Sequence, residues 1–190
     1  DIIIRGGAPN ENRFYLDAVF KGRYPQELLD LCQAQLPEIR EGDLATISAP
    51  VDYLGVNIYR RSVMQAGTEL PPLNFARVSP PGDYTAVGYE IYPPCIHDIL
   101  MYVHRDYAPK AIHISESGMA TRPETPEADG LIHDRQRAAY YTDHIAELDR
   151  ARRAGVPVKA YFAWTLIDNF EWAYGYRTPF GIVHVDLETQ

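Results

Sequence analysis

Three short apolar segments, residues 51–59, 111–116 and 158–164, alternate with two amphipathic helical segments. That order predicts an α/β chain organised as a parallel βαβαβ unit, because a strand that returns parallel to its neighbour needs a helical crossover. A glutamate, Glu116, closes the middle strand directly before Ser117-Gly118. The two long polar loops and an aromatic segment all leave strand C-terminal ends, so a (β/α) architecture gathers them with Glu116 and Tyr59 on one face.

The elements follow in order. Residues 1–9 run from Asp1-Ile2-Ile3-Ile4 to Gly6-Gly7-Ala8-Pro9 and take no assignment, so residues 1–11 stand as a boundary segment. Residues 12–20 suit a short helix with Phe14, Leu16 and Phe20 apolar. After a turn at 22–25, Pro25 suits the start of a helix from Gln26 to about Leu36, whose apolar face is Leu28, Leu29, Cys32 and Leu36. Val51, Tyr53, Leu54, Val56, Ile58 and Tyr59 make the first strand. Residues 60–92 are rich in Pro and Gly without clear period and read as a long loop, a length that is usually functional. Pro93-Pro94 opens a helix with Ile96, Ile99, Leu100 and Val103 as core positions. The second strand, 111–116, leads to a polar loop through 132. Asp134 caps a helix to Ala154 that turns Ala138, Tyr141, Ile145 and Leu148 inward, and Gly155 and Pro157 stop it. The third strand, 158–164, passes into an aromatic loop.

Composition narrows the function classes. With 46% hydrophobic and 23% charged residues the chain is of ordinary globular make-up, and its net charge of -8 argues against a nucleic-acid partner. No run approaches the ~18 apolar residues of a membrane span, and no basic-then-apolar leader opens the chain. Cys32 and Cys95 fall in helical segments without metal-like spacing and read as buried thiols, compatible with a reducing, cytoplasmic compartment. Fourteen tyrosines lead an aromatic content of 12%. Such rings offer a flat apolar face with a polar handle, which suits sugars, although large cores use them too.

Residues 161–176 contain both tryptophans, Trp164 and Trp172, with Glu171 beside the second. A carboxylate next to an indole on a loop leaving a strand can bind hydroxyls while the ring covers a sugar. A solvated glutamate over a hydrophobic loop fits the same spacing, and Glu116 by itself equally suits a carboxylate that reaches solvent or an arginine.

Longer motifs separate these readings. Ile114-Ser115-Glu116-Ser117-Gly118 resembles the Ile/Val-Thr-Glu-Asn-Gly signature of glycoside hydrolase family 1, the retaining β-glucosidases. Leu166-Ile167-Asp168-Asn169-Phe170-Glu171-Trp172 is similar to that family's sugar-binding loop after strand eight, and Asp52-Tyr53-Leu54-Gly55-Val56-Asn57-Ile58-Tyr59 to its strand six. Asn12-Arg13-Phe14-Tyr15-Leu16-Asp17, Gly22-Arg23-Tyr24-Pro25, Glu90-Ile91-Tyr92-Pro93 and Phe180-Gly181-Ile182-Val183 match further segments in order. The resemblance implies a (β/α)8 TIM barrel, with residues 1–190 forming a single partial-barrel domain of about strands six to eight. It implies Glu116 as nucleophile, with Tyr59 donating a hydrogen bond to it. Glu171 and Trp172 would bind outer hydroxyls, Trp164 would floor the subsite, and Asn57 and Phe180 would line it. A β-glucoside or oligosaccharide is the implied substrate, and no metal or organic cofactor is required.

The chain also departs from the family. Retention needs two carboxylates about 5–5.5 Å apart. The second belongs to a Thr-x-Asn-Glu-Pro motif of strand four that is not among these residues. Asn10-Glu11 is a poor substitute, since Asn12 follows it and a helix comes next. Sugar-site residues of the first barrel half are absent too, and the chain stops at Gln190 before the family's last helix. Three strands cannot close a barrel, so the isolated chain is expected to need the missing N-terminal half or self-association, and to be inactive alone. A catalytically inactive sugar-binding fragment is the alternative reading. Ser115, Ser117, Tyr89, Phe14 and Ala18 replace the family's usual residues and leave leaving-group preference open. The 6-phospho-glycosidase branch is disfavoured, because it carries serine where Glu171 stands. Glucoside, galactoside and fucoside stay open together.

Overall fold

In the computed structural model, which describes residues 12–32, 38–68 and 75–189, three parallel strands form one sheet. They are β1 (Leu54–Asn57), β4 (Ile112–Ser117) and β5 (Val158–Ala163), in the order β1-β4-β5. Leu54 pairs with Ile112 and Ile112 with Val158, so all three strands start level; Asn57 pairs with Glu116 and Ser117 with Ala163, so they also end together. The crossovers carry helices α4 (Pro94–Tyr107) and α5 (Arg135–Arg153). The predicted order is therefore present, with the first strand shorter than residues 51–59.

The chain divides into two compact units, one of residues 1–52, 64–76 and 105–108, the other of 53–63, 77–104 and 109–190. The second holds the parallel sheet. Its core is Ile96, Leu100 and Val103 of α4, Ile112 and Ile114 of β4, and Tyr140 and Ala151 of α5, each at most 7% exposed. Ile99, expected in this core, is half-buried. The other sheet face is open, since Tyr53, Ser115 and Phe162 are exposed and Tyr53 lies flat on His113 at 4.3 Å.

The inward face of α5 differs from its expectation by one position. Ile145 is 46% exposed and Ala138 is exposed, whereas Arg137, Tyr140, His144 and Ala151 are buried. Arg137 and the Nδ1 of His144 find hydrogen-bond partners on this face, which offsets the cost of their burial, whereas Tyr140 Oη and His144 Nε2 have none. Arg137 donates to the carbonyls of Met119, Pro179 and Gly181 and to Thr121 Oγ1. His144 stacks on Tyr140 at 3.7 Å with Nδ1 2.7 Å from the Tyr140 carbonyl, and burial holds its pKa below the usual value. Asp134 caps the helix as expected, accepting from the Arg137 backbone N–H. Arg150, Arg152 and Arg153 in the last turn pair with Glu147 and Asp149.

The long loop expected at 60–92 contains structure: β2 (Val63–Ala66) pairs with β3 (Phe75–Val78). Four-residue strands punctuated by Gly and Pro leave too little alternation to read. Cys95 is buried, and that burial pushes its thiol up to about 12.

The first unit holds α1 (Asn12–Lys21), α2 (Gln26–Cys32) and a five-residue helix α3 (Asp43–Ile47) that the sequence did not suggest. The expected continuation of α2 to Leu36, and residues 1–11 with Asn10-Glu11, lie outside the described residues. Asp17, 2% exposed, organises this unit. It accepts from Lys21 Nζ at 2.9 Å and Tyr107 Oη at 2.7 Å and pairs with Arg13. Burial alone would raise its pKa, but the Lys21 and Tyr107 hydrogen bonds with the Lys21 and Arg13 charges outweigh that and lower it. A carboxyl held low in the folded state adds stability above its unfolded value of about 4 and loses it as pH falls through the folded value. Unfolding measured against pH should thus show stability falling below about pH 4 in the parent, with a flatter profile for Asp17→Asn; identical profiles would dismiss this role.

Candidate functional site

The level strand ends place four side chains at one rim. Tyr59 sits two residues beyond β1, Glu116 and Ser117 close β4, and Trp164 follows β5. The Ile58 N–H donates to the Glu116 carbonyl at 2.8 Å, which extends the β1–β4 pairing past the strand and fixes Tyr59 beside Glu116. The Tyr59 hydroxyl then donates to Glu116 Oε2 at 2.7 Å. Burial first, and then this hydrogen bond, raises the Tyr59 pKa far above the ordinary tyrosine value, so the phenol stays neutral and remains a donor. Asn57, exposed at the end of β1, accepts from Ser115 Oγ at 2.8 Å and so faces the same strand as Glu116.

Close backbone approach lets the β4 and β5 ends meet. The Trp164 N–H donates to the Ser117 carbonyl at 2.9 Å, and a Cβ on Gly118 would collide with the Trp164 carbonyl oxygen. Glycine is required there by space. The Trp164–Thr165 peptide is cis.

Beyond β5 the loop folds back. Glu171 is 8% exposed and accepts from Trp164 Nε1 at 2.8 Å, so indole and carboxylate form one unit. A 3-10 turn, Trp172–Tyr174, follows, with Trp172 83% exposed and at positive φ. Phe180 is buried and meets the Tyr59 ring edge-on at 6.3 Å. Tyr59 is thus flanked by Glu116 on its hydroxyl and Phe180 on its ring, and Glu171 is near enough to act on its charge. Tyr59, Glu116, Trp164, Glu171 and Phe180 come together directly, Asn57 reaches the cluster through Ser115, and Trp172 stands at its outer edge.

Two supporting residues, Asp168 and Arg137, were given no role by the sequence, and a third, Tyr89, stood out there only as a departure from the family on the leaving-group side. Asp168 accepts from the Gly181 N–H at 2.8 Å and the Val185 N–H at 3.3 Å, holding the tail that presents Phe180. Arg137 ties the 119–121 loop to 179–181, and only its spacing from the cap Asp134 hinted at a role. Tyr89 packs edge-on against Tyr59 at 6.2 Å. Among the described residues, no group of three or more His, Cys, Asp or Glu side chains is placed to hold a metal ion, and no helix is long and apolar enough to cross a membrane.

Chemically, the rim offers one carboxylate oriented by a neutral phenol, and a second carboxylate locked to an indole beside aromatic surface. That combination suits a polyhydroxylated ring with a reactive carbon near Glu116.

Comparison with known proteins gives a consistent result. The model of the family described as glycosyl hydrolase family 1 matches residues 8–190. The chain is 40% identical over 185 residues to β-glucosidase A of Acetivibrio thermocellus, an alignment covering 93% of this chain and 40% of that protein. It is 37% identical over 182 residues to β-glucosidase A of Thermotoga maritima, covering 95% of this chain and 40% of the relative. The solved family 1 β-glucosidase of Thermotoga maritima superposes with a TM-score of 0.88 at 36% identity, over 95% of this chain and 40% of that one. Its complex with castanospermine gives 0.87. The chain therefore spans about two fifths of the length of these relatives, and its parallel sheet and helices are part of their TIM-barrel fold.

The Gly118 contact yields a direct test. Gly118→Ala should lower stability by about 1–3 kcal/mol, the usual scale of overpacking, in denaturant unfolding followed by tryptophan fluorescence. An unchanged midpoint would mean the β4 and β5 ends can part without cost.

Proposed function

The chain belongs to glycosyl hydrolase family 1, and from that premise we propose that it supplies the nucleophile side of a retaining β-glucosidase active site. The single observation that carries the proposal is the 2.7 Å hydrogen bond from Tyr59 to Glu116 at the strand-end rim. In a double displacement the attacking carboxylate must keep one oxygen aimed at the anomeric carbon. A neutral tyrosine held on Oε2 leaves Oε1 for attack and fixes the plane of the group.

The first step forms a bond between a Glu116 oxygen and the anomeric carbon. The bond from that carbon to the leaving oxygen breaks, and that oxygen takes a proton from a second carboxylic acid. In the second step a water, deprotonated by the same partner, attacks the anomeric carbon and releases Glu116. The partner is proposed to come from a part of the whole protein outside this chain, which spans two fifths of its relatives. Residues 1–190 are then one part of a single barrel domain, completed by the N-terminal half or by self-association.

The sugar is recognised by the loop after β5. Glu171, already bonded to Trp164, is proposed to accept from outer hydroxyls, with Trp172 adding a further contact at the rim. Trp164 floors the ring, and Phe180 and Asn57 line the walls. Buried acceptors of this kind reject a sugar that leaves them unpaired, which is a stronger filter than apolar fit. A β-glucoside or β-linked oligosaccharide fits this arrangement.

One observation also suits sugar binding without turnover. The sugar-holding pair Trp164–Glu171 is complete in this chain, while no acid/base carboxylate for Glu116 is identified among the described residues.

Two measurements decide. In the full-length protein, Glu116→Gln should lower kcat for an aryl β-glucoside on the order of 10⁴-fold, and Tyr59→Phe about a hundredfold with little change in KM. Wild-type rates in Glu116→Gln would exclude the nucleophile role. A 2-deoxy-2-fluoro-β-glucosyl fluoride should leave its sugar on the peptide containing Glu116, read by mass spectrometry. Sugar binding with no such adduct would support the non-catalytic reading instead.

A further inference from the structure

The segment between β1 and α4 carries a positive cleft that the reaction above does not use. It is lined by Arg60, Arg61 and Arg77, with Ser62, Ser79 and Glu90. Glu90, only 8% exposed, takes both Arg61 Nε and an Arg61 terminal nitrogen at 2.8 Å each, and the Arg61 guanidinium also lies 3.5 Å from the centre of the Tyr92 ring. Arg61 is thereby neutralised and held. Arg60 and Arg77 are exposed, and among the described residues neither is paired with a carboxylate. Two uncompensated positive charges thus share one cleft on a chain whose net charge is -8. Chance clustering of surface charge on so acidic a chain would favour the opposite sign.

The cleft adjoins the catalytic groups. Arg60 lies over the face of Tyr89 at 4.4 Å, Tyr89 meets Tyr59 edge-on at 6.2 Å, and Tyr59 bonds Glu116. The sugar-holding residues Trp164, Glu171 and Phe180 all come from beyond β5. Arg60 and Tyr89 reach Tyr59 from a different segment, the one after β1. A substrate whose sugar is held by the β5 loop and whose anomeric carbon meets Glu116 can therefore extend its leaving group toward Tyr89 and the arginines. The cleft measures about 40 Å³, enough for a few waters or one small oxyanion but not for a sugar ring.

Resting on the function proposed above, we infer that Arg60 and Arg77 form an anion subsite for the leaving group, and that the preferred substrates are β-glucosides whose aglycone bears a carboxylate-sized anionic group. Arginine forks match a planar carboxylate with two parallel hydrogen bonds, and the stack on Tyr89 holds the Arg60 guanidinium in place. Ser62 and Ser79 supply neutral donors at the same cleft.

The test compares, in the full-length protein, kcat/KM for 4-carboxyphenyl and 4-carbamoylphenyl β-D-glucoside. The two leaving groups differ electronically, but that difference cancels when the ratio is compared between wild type and variant. Arg77→Gln should lower the carboxylate-to-amide ratio about fivefold at low salt, the scale of a partly exposed ion pair. Arg77→Lys should retain most of the ratio, and about 0.5 M NaCl should shrink the wild-type advantage. A 4-sulfophenyl glucoside separates sources of charge: a response equal to the carboxylate assigns the site to anions in general, a weaker one to planar carboxylates. An unchanged ratio in Arg77→Gln, with the amide substrate still hydrolysed, overturns the subsite and leaves the glycosidase reading intact. Failure of wild type to hydrolyse the amide substrate overturns both.

Discussion

The hydrogen bond between the Tyr59 hydroxyl and Glu116 depends on a prior constraint, the parallel register of β1 against β4. Asn57 pairs with Glu116, and the Ile58 N–H continues that pairing onto the Glu116 carbonyl. A slip of one residue would turn Tyr59 to the opposite side, because strand side chains alternate faces. Ile112 and Ile114, fully buried on β4, resist such a slip by fixing which face of the strand is inside. The pairing shifts register between Ile114 and the strand end, so the apolar half of β4 anchors the strand and the irregularity re-aims its polar end toward the rim.

A second constraint acts from the other side of the rim. The loop after β5 has few buried apolar residues of its own, with Leu166, Ile167, Phe170 and Trp172 all exposed. It is held by polar ties: Trp164 to Glu171, Asp168 to the Gly181 and Val185 amides, and Arg137 to the Pro179 and Gly181 carbonyls. Arg137, 6% exposed, pairs with the Asp134 carboxylate and spreads its other donors over two loops, so its burial is compensated by carbonyl hydrogen bonds as well as by an ion pair. Charged groups in this chain therefore have two structural uses. Arg137 joins loops in the second unit, and Asp17 gathers Lys21, Arg13 and Tyr107 in the first. Arg60 and Arg77 share neither use, and they are set apart by lining one cleft together.

The α5 helix shows where one-dimensional reading loses information. Its apolar positions predicted an inward face through Ala138, Tyr141, Ile145 and Leu148, yet Arg137, Tyr140, His144 and Ala151 are buried. Hydropathy assigns arginine and histidine to solvent, because their desolvation is costly when nothing compensates it. Compensation came from the carbonyls of Met119, Pro179, Gly181 and Tyr140, of which only the last is on the helix itself. No periodic pattern can announce acceptors that arrive from other segments.

By itself the sequence determined the α/β order, the strand-end position of Glu116, the Asp134 cap and the grouping of Tyr59, Trp164, Glu171 and Phe180 through motifs quoted residue by residue. These are local properties, set by alternation, capping and short runs of adjacent residues. Tertiary structure alone decided which oxygen of Glu116 Tyr59 binds, that Glu171 is locked to an indole, that Gly118 has no room for a side chain, and that Arg60 and Arg77 share a cleft leading back through Tyr89 to Tyr59. Each of those facts joins segments that lie apart along the chain, and their distances exist only once the sheet has brought its strand ends level.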